Sequence, residues 1–284
     1  RILVEELGLS GIDDIAGFDD SLGATTVNGY RYFNMGSANH AEAWQVLSPV
    51  RNNSSGVISI NRMIHKQFRS KMIEFALERN RRIPKPMGQE QVVYGDKVIN
   101  LRNHTHRYVY PKEGAEKYIA NGEIGIAVGQ FKTKKMTKAP WLLKIEFSSQ
   151  QGYQYDFSAG DFGDESEPKL ELAYALTVHK AQGSEFDLLI LVLPNPCRLL
   201  SREMLYTALT RQRNRIIILH QGNRGDLKKY SADMYAETAL RLTNLFKAPM
   251  PVEIAGRFLE DRLINRTRRG ELVRSKSEII VADG

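Results

Sequence analysis

The sequence predicts an α/β protein in which a small antiparallel β domain interrupts a parallel-sheet domain. Two apolar runs, "AWQVLSPV" (43–50) and "LLILVLP" (188–194), are typical of strands buried on both faces of a sheet. Between them, residues 90–165 hold several short β-type runs separated by Gly, Asn, Ser and Lys, a pattern typical of a small antiparallel sheet or barrel. The simplest arrangement inserts this β segment into one α/β domain.

Length and composition agree with two folded domains, since the chain has 284 residues and 42% of them are apolar. The net charge of +7 favours a polyanionic partner, most simply nucleic acid, although a charge of this size also serves ordinary solubility. The one cysteine excludes a disulfide framework and a cysteine metal site, and a cytoplasmic, reducing location is expected. No run approaches the ~20 apolar residues of a membrane span.

The remaining elements follow from local patterns. Residues 1–41 are weakly patterned and predict a loop-rich connector. A four-residue spacing predicts the buried face of a helix, formed by Ile60, Ile64, Phe68 and Met72. The opposite face is basic and carries Arg62, Lys66 and Arg69. Later patterns predict a strand "LAYAL" (172–176), a helix over 201–214 with Ser201 as N-cap, a buried strand "RIIILH" (215–220) and a closing helix over 226–246.

A polar stretch, "TVHKAQGSE" (177–185), joins two of the apolar runs. A strand before it would deliver these side chains to the edge of a sheet, where ligands bind in open α/β folds. Thr177 could cap a helical turn or donate to a phosphate, Gly183 allows close backbone approach, and Glu185 is suited to a ribose hydroxyl. A polar turn that binds no ligand explains the pattern equally well.

Two arginines occupy similar positions at the ends of apolar elements. Arg211 lies near the end of the predicted helix, just before a strand, and Arg51 directly follows "VLSPV". A guanidinium there is a natural partner for phosphate oxygens. A cation favoured by the dipole at a helix C-terminus is the alternative for Arg211.

Taken together, these segments resemble superfamily 1 helicases of the RecD-like branch. "AYALTVHKAQGSEFD" and "LYTALTRQRNRIIIL" resemble the fifth and sixth helicase motifs, and "QVLSPVRNNSSGVISIN" is similar to the fourth. "YGDKVINLRN" followed by "ANGEIGIAV" resembles the SH3-type barrel inserted in the second motor domain of these enzymes. The resemblance implies a RecA-like parallel-sheet motor domain with an inserted small SH3-like β-barrel.

The resemblance also implies roles for individual residues. Arg51 and Arg211 would both reach the γ-phosphate of ATP as arginine fingers. The ATP-contacting residues would be Gln182, Gly183, Ser184 and Glu185, with Glu185 on the ribose. The DNA-contacting residues would be Thr177, His179 and Lys180, with weaker support for Arg102 and Asn103 in the barrel. Tyr153 and Tyr155 are candidates for stacking on bases, although core positions are the commoner place for such strand residues.

The phosphate-cradling sequence G-x-x-x-x-G-K-[ST] is absent from these 284 residues, and so is an acidic strand of the Walker B type before Arg51. The resemblance implies that both belong to an upstream RecA-like domain, in the same chain or in a partner subunit. That domain would hold most of the ATP and Mg²⁺, and this chain alone would not hydrolyse ATP. Travel from 5′ to 3′ is expected from the family branch. No metal ligands are expected in this chain.

The expected domain organisation has four parts. These are a connector or remnant of the first motor domain (1–41), the second motor domain (42–89 and 166–248), the inserted β domain (90–165) and a basic tail (249–284). The tail resembles the opening helix of a restriction-endonuclease-like domain, with Glu278 near its metal site. A basic solvated tail is the alternative.

Two other function classes stay open at this point. One is a nucleic-acid-binding module, with single-stranded or duplex DNA as partner, that keeps the fold without the motor. The other is a scaffold region of a helicase–nuclease.

Overall fold

The computed structural model describes residues 1–129, 131–132, 136–163, 167–195, 197 and 199–230. The helices are α1 (Ile2–Glu6), α2 (Ile15–Ser21), α3 (Val57–Leu77), α4 (Arg202–Leu209) and α5 (Arg224–Lys229), with short 3₁₀ helices at Ser37–His40, Ser148–Gln150 and Ala159–Phe162. The strands are β1 (Thr25–Val27), β2 (Tyr30–Tyr32), β3 (Trp44–Ser48), β4 (Lys97–Asn100), β5 (His104–Thr105), β6 (Val109–Tyr110), β7 (Tyr118–Ile119), β8 (Ile124–Val128), β9 (Leu143–Phe147), β10 (Gln154–Phe157), β11 (Leu170–Leu172), β12 (Ala175–Thr177), β13 (Phe186–Leu193) and β14 (Gln212–His220).

Part of the sequence-based expectations falls beyond this range. The tail 249–284 with Glu278, and residues 231–246 of the predicted closing helix, lie outside the described residues. None of the described helices combines the length and apolar character that a membrane crossing requires.

A four-stranded parallel sheet is built in the order β12-β3-β13-β14. Strand β3 is buried throughout, as predicted, and ends before Pro49, which has no N–H to continue a ladder. Strand β14 differs from the prediction of a buried strand, because it lies at the sheet edge and most of its residues are half-buried or exposed. Among the described residues, no strand pairs with its outer side.

The region between β3 and β12 in sequence forms a six-stranded antiparallel sheet in the order β11-β4-β8-β9-β10-β6. Every pairing in it is antiparallel, as expected for the inserted segment. Its end strands, β11 and β6, do not pair with each other in the part of the chain that is described. Two further two-stranded antiparallel sheets, the hairpin β1-β2 and the pair β5-β7, are separate from both larger sheets.

The predicted strand "LAYAL" is divided between the two sheets. Leu170–Leu172 pairs with β4 in the antiparallel sheet, whereas Ala175–Thr177 pairs with β3 in the parallel sheet. Only Ala173 and Tyr174 separate the two strands, and both are buried. The prediction of one continuous strand was wrong because an apolar run does not reveal a change of partner strand.

Two buried side-chain amides hold this crossing between the sheets. The Nε2 of Gln45 donates to the carbonyl oxygens of Ala173 and Tyr174, each at 3.0 Å. The Oδ1 of Asn61 on α3 accepts from the N–H of Ala175 at 2.7 Å, and its Nδ2 donates to the carbonyl of Ala175 at 3.0 Å. Buried backbone groups that leave a ladder need such partners, and these two amides supply them.

Helix α3 buries the predicted apolar face, with Ile60, Ile64 and Phe68 in the core and Met72 half-buried. Arg69 was predicted on the basic, solvated face but is fully buried. Its guanidinium donates to the carboxylate of Asp19 and to the carbonyl of Gly95, and its Nε lies 3.3 Å from the carboxylate of Asp96. The reason is α2, which carries Asp19 and forms in the segment predicted to be a loop-rich connector.

Asp96 is the second carboxylate beside Arg69. It accepts from the Tyr174 hydroxyl at 2.6 Å and pairs with the Nε2 of His65 at 3.0 Å. Burial alone would raise the pKa of Asp96, but the nearby His65 and Arg69 hold it below its usual value. The same burial opposes a charged His65, yet the carboxylate raises the pKa of this imidazole. The group therefore joins α2, α3 and the sheet crossing as one charged, paired cluster.

Lys97 on β4 is a buried cation that lacks a carboxylate partner among the described ion pairs. Its Nζ donates to the carbonyl of Trp44 at 2.6 Å and lies 5.0 Å from the Trp44 ring centroid and 5.7 Å from that of Phe186. Burial lowers the pKa of this ammonium to about 7, and the charge of Glu42 only partly opposes the shift.

Replacing Asn61 with leucine should destabilise the fold, because both backbone groups of Ala175 would stay buried without a partner. We expect a loss of about 3 kcal/mol in the free energy of unfolding, measured by urea denaturation. Lys66→Ala, at an exposed position of the same helix, should change it by less than ~0.5 kcal/mol. Equal effects of the two substitutions would show that the amide does not hold the crossing.

Lys97 should make stability rise with pH above neutrality. Its pKa is about 7 when folded and 10.5 when unfolded, so between these values the unfolded chain binds more protons and the free energy of unfolding increases with pH. Urea unfolding at several pH values from about 7 to about 9 should show a smaller rise for Lys97→Met than for the wild type. Lys66→Met, which removes an exposed lysine, should keep the wild-type rise; identical slopes for all three proteins would contradict the assignment.

Candidate functional site

The parallel sheet has two edges that carry different parts of the candidate site. Thr177 lies opposite Ser48 at the carboxyl ends of β12 and β3, which we call the carboxyl edge. Leu188 lies opposite Trp44 and Phe186 opposite Gln212, so the amino ends of β13 and β14 define the amino edge. The polar stretch 177–185 therefore begins at one edge and ends at the other.

At the carboxyl edge, Thr177 starts a helical turn. Its Oγ1 accepts from the N–H of Lys180 at 3.3 Å, and its carbonyl accepts from the N–H of Ala181 at 3.2 Å. This is the capping role expected for a threonine at such a position. His179, within the turn, is exposed. The turn thus presents Thr177 and His179 together at the end of the strand.

Glu171 joins two of the predicted site residues at this edge. One of its carboxylate oxygens accepts from the Nζ of Lys180, and the other lies 3.4 Å from the guanidinium of Arg51. Arg51 itself is half exposed, with 52% of its side-chain surface accessible. Sequence reasoning missed Glu171, since a single acidic residue inside an apolar run carries no recognisable signal.

At the amino edge, Arg211 contacts the end of the polar stretch. Its backbone carbonyl accepts from the N–H of Phe186 at 2.8 Å. Its guanidinium donates to the carbonyls of Ser184 and Thr207 at 3.3 and 3.2 Å, and to the hydroxyl of Thr210 at 3.3 Å. These are all neutral oxygens, and no carboxylate pairs with Arg211 among the described ion pairs. The charge of this guanidinium is therefore not paired with a carboxylate in the part of the chain that the structure describes.

Gln182 and Gly183 link the two edges. Gln182 is exposed, and its N–H donates to the carbonyl of His179 at 3.2 Å. Gly183 has a φ of +92°, a conformation that glycine adopts without strain, and the space around it is open. Both residues therefore lie on an accessible surface next to Ser184.

Glu185, the predicted ribose contact, is exposed and lies 3.5 Å from the Nε of Arg213. Arg213 in turn donates to the carboxylate of Glu42 at 3.1 Å. Sequence reasoning placed residue 213 in a helix, but α4 ends at Leu209 and Arg213 belongs to β14. The N-cap of α4 is as predicted, with the Ser201 hydroxyl accepting from the N–H of Met204 at 3.1 Å.

Arg51 and Arg211 follow or precede strands at different levels of the parallel sheet. Phe186 pairs with Gln212, the residue after Arg211. By the register of β13 with β3, Phe186 lies six residues before the position that is level with Ser48. At about 3.3 Å per residue, the two positions are roughly 20 Å apart along the strand direction. Each guanidinium also has different partners at its own edge. Arg51 follows the carboxyl end of a strand and Arg211 precedes the amino end of one, and the expectation that both reach one γ-phosphate stays a prediction.

In the antiparallel region, the weaker candidates are engaged within the protein. Arg102 pairs with Glu167, and both side chains are exposed. Asn103 accepts through Oδ1 from the N–H of Asn121 at 2.9 Å. Tyr155 is fully buried, so it cannot stack on a base as it stands, and Tyr153 is half-buried with its hydroxyl donating to the carbonyl of Glu113. The alternation of the strand turned Tyr155 inward.

The residues at the amino edge fit one side of a nucleotide: a carboxylate for a ribose, exposed backbone near a glycine and an uncompensated guanidinium for phosphate. They do not fit a whole triphosphate with its metal. Among the described residues, no group of three His, Cys, Asp or Glu side chains could hold a metal ion. The arrangement can therefore complete a nucleotide site but not form one alone.

Comparison with known proteins shows similarity over the region that contains these residues. Residues 172–219 match the UvrD-like helicase C-terminal domain, and this range contains the whole polar stretch and Arg211. The RecD subunit of the RecBCD enzyme from Haemophilus influenzae is 28% identical over 190 residues, covering 63% of this chain and 23% of that protein. Over residues 172–219 the chain is thus similar to the C-terminal domain of UvrD-like helicases, and over a longer range it is similar to a RecD subunit.

Two other proteins are similar to this chain, each over a different length. An uncharacterized protein of Methanocaldococcus jannaschii is 34% identical over 193 residues, which are 66% of this chain and 15% of that protein. The ATP-dependent RecD2 DNA helicase of Deinococcus radiodurans is 55% identical over 47 residues, 16% of this chain and 7% of that one. The chain thus spans less than a quarter of the length of these three relatives.

Among solved structures, Pif1 helicase from Bacteroides in complex with ADP-AlF₃ and ssDNA is similar to this chain, with a TM-score of 0.34 and 15% identity. The match covers 77% of this chain and 47% of that one.

Proposed function

We propose that the chain is the second motor domain of an ATP-dependent DNA helicase or translocase that travels 5′ to 3′ on single-stranded DNA. The observation that carries the proposal is the position of Arg211. Its guanidinium is held on the carbonyl of Ser184, at the end of the polar stretch, and has no carboxylate among its described partners. A fixed, uncompensated guanidinium beside a nucleotide-facing segment is suited to stabilise charge on a transferring phosphoryl group.

In this proposal, Gln182, Gly183 and Ser184 face the nucleotide, and Glu185 accepts from its ribose. ATP and Mg²⁺ are held mainly by an upstream RecA-like domain, in the same chain or in a partner subunit. This division is supported by the absence of G-x-x-x-x-G-K-[ST] from the 284 residues. Bound Mg²⁺ would neutralise phosphate charge, and the present chain alone would be inactive as an ATPase.

The DNA side of the proposal lies at the carboxyl edge. Thr177, His179 and Lys180 would contact the backbone of a single strand, and we add Arg51 to this group because it shares Glu171 with Lys180. Two cations that compensate one carboxylate leave a net positive charge, which suits DNA phosphate. Residues 177–185 would then sense DNA at one end and nucleotide at the other.

The organisation of the chain is part of the same proposal. Residues 42–89 and 166–248 would form the motor domain, 90–165 an SH3-type barrel, 1–41 a connector and 249–284 a tail. Arg102 and Asn103 would contact DNA only after leaving their present partners. We place the protein in the cytoplasm, together with its DNA substrate.

A nucleic-acid-binding module without motor activity is the second candidate, and the net charge of +7 favours it as much as it favours a helicase. The two candidates differ in what they require of Arg211. A pure binding module needs DNA contacts only, so its DNA affinity and its lack of ATPase would not depend on this residue.

Arg211→Ala should abolish DNA-stimulated ATP hydrolysis in the chain extended upstream by its first motor domain. Loss of an arginine finger reduces kcat by about 10³-fold or more, and steady-state ATPase assays with single-stranded DNA would measure it. Arg215→Ala removes an exposed arginine from the same strand, where its partner is Glu6 at 2.9 Å, and should leave the rate unchanged. An Arg211→Ala protein with the wild-type rate would exclude the motor function.

Removing Thr177 and His179 side chains together, as a double alanine variant, should weaken binding of single-stranded DNA about tenfold. Arg51→Ala should also weaken it and reduce the slope of log affinity against log salt by about 0.7, the value for one phosphate contact on a single strand. Fluorescence anisotropy over a salt series would measure both effects, with Arg215→Ala as the control for lost charge. If Arg51→Ala instead keeps the wild-type slope and abolishes ATPase, Arg51 belongs to the nucleotide and not to DNA.

A further inference from the structure

We propose that Arg213 is a positioning residue for the nucleotide, which holds the carboxylate of Glu185 where it can accept from the ribose. The inference rests on the proposed function and extends it to a residue outside the polar stretch. Arg213 follows Arg211 by two positions but belongs to β14, and its side chain returns toward the start of β13.

The guanidinium of Arg213 faces three carboxylates, one from the segment before β3 and two from the start of β13. Its Nη2 lies 3.1 Å from Glu42, its Nε 3.5 Å from Glu185 and its Nη1 3.8 Å from Asp187. Each nitrogen therefore serves a different carboxylate. A planar fork can hold such a set in one geometry, whereas a single ammonium cannot.

One end of this arrangement is fixed. Glu42 is half-buried, its Oε1 accepts from the hydroxyl of Ser148 at 3.0 Å, and its backbone carbonyl accepts from the N–H of Asp187 at 3.2 Å. Glu42 thus anchors Arg213 to the amino end of β13 and to the segment that follows β9. Arg213 is therefore paired with a residue that has two further hydrogen bonds of its own.

The other end needs that support. The Glu185 side chain is 57% exposed, and among the described ion pairs Arg213 is its only partner. Without the guanidinium, the negative charges of Glu42 and Asp187 would repel Glu185 toward solvent. With it, three carboxylates converge on one cation, and Glu185 stays beside Ser184, which Arg211 contacts. The two arginines would thus act on one nucleotide, Arg211 on its phosphate and Arg213 on its ribose through Glu185.

The test uses the chain extended upstream by its first motor domain and compares ATP with 2′-deoxy-ATP and 3′-deoxy-ATP. For wild type, one of the deoxy nucleotides should have the higher KM, because it lacks the hydroxyl that Glu185 accepts from. Arg213→Ala should raise KM for ATP about threefold to fivefold, the range of a partly exposed ion pair, and keep kcat within about twofold. It should also lower the discrimination against that deoxy nucleotide by the same factor.

A double variant separates positioning from direct contact. Glu185→Ala should remove the discrimination, and adding Arg213→Ala to it should have no further effect on the ratio of the KM values. If Arg213→Ala lowers kcat and leaves the discrimination intact, Arg213 contacts phosphate itself and the proposal is overturned. Additive effects of the two substitutions on the ratio would overturn it as well.

Arg215→Ala serves again as the matched control, since it removes an arginine two positions along the same strand and should change neither KM nor discrimination. Failure of this proposal is distinct from failure of the motor function. An active protein that needs Arg211 but whose nucleotide discrimination ignores Arg213 would reject only the role of Arg213. An active protein that does not need Arg211 would reject the motor function itself.

Discussion

The two side-chain amides of Gln45 and Asn61 are the constraint on which the architecture depends. A chain that passes from an antiparallel to a parallel sheet within two residues must leave backbone groups outside both ladders, and in the core these groups cannot turn to water. Gln45 takes the place of a strand partner for the carbonyl of Ala173, and Asn61 does so for the backbone groups of Ala175. Gln45 comes from β3 of the parallel sheet, and Asn61 comes from α3. The antiparallel sheet is therefore joined to the parallel-sheet domain by side-chain hydrogen bonds that depend on the register of β12 against β3.

The crossing also fixes the course of everything that follows it. Strand β12 has only three residues, Ala175–Thr177, so its own pairing does little to fix its position in the sheet. That position at the carboxyl edge nevertheless determines where the polar turn begins. Strand β13 then starts at the opposite edge, so the stretch between them runs the depth of the sheet. Two chemical environments, one with paired cations and one with a free guanidinium, are thereby connected by fewer than ten residues. A shift at either end has a short covalent path to the other.

Local signals were sufficient for part of this structure. Trp44–Ser48 and the N-cap Ser201 were predicted correctly, because an apolar run ended by proline and a serine before a helix depend on neighbours in sequence. Arg69 could not be predicted, since its partner Asp19 lies 50 positions earlier in a segment with little pattern. The same holds for Arg213 and Glu42, which are 171 positions apart. Residue types in the site were readable from sequence, but their division between two edges was set by strand register, which sequence patterns do not report.

Glu171 has a consequence for how a ligand would leave the carboxyl edge. Its carboxylate imitates a phosphate: it offers two oxygens to Lys180 and Arg51, and it is tethered to the protein. An incoming anion has to compete with the carboxylate of Glu171 for Arg51 and Lys180, and this carboxylate pairs with them again when the anion dissociates. The local concentration of a tethered group does not fall when the solution is diluted, so the exchange favours fast release over tight retention. In the translocase that we propose, such a competitor would help the carboxyl edge to release DNA at each step.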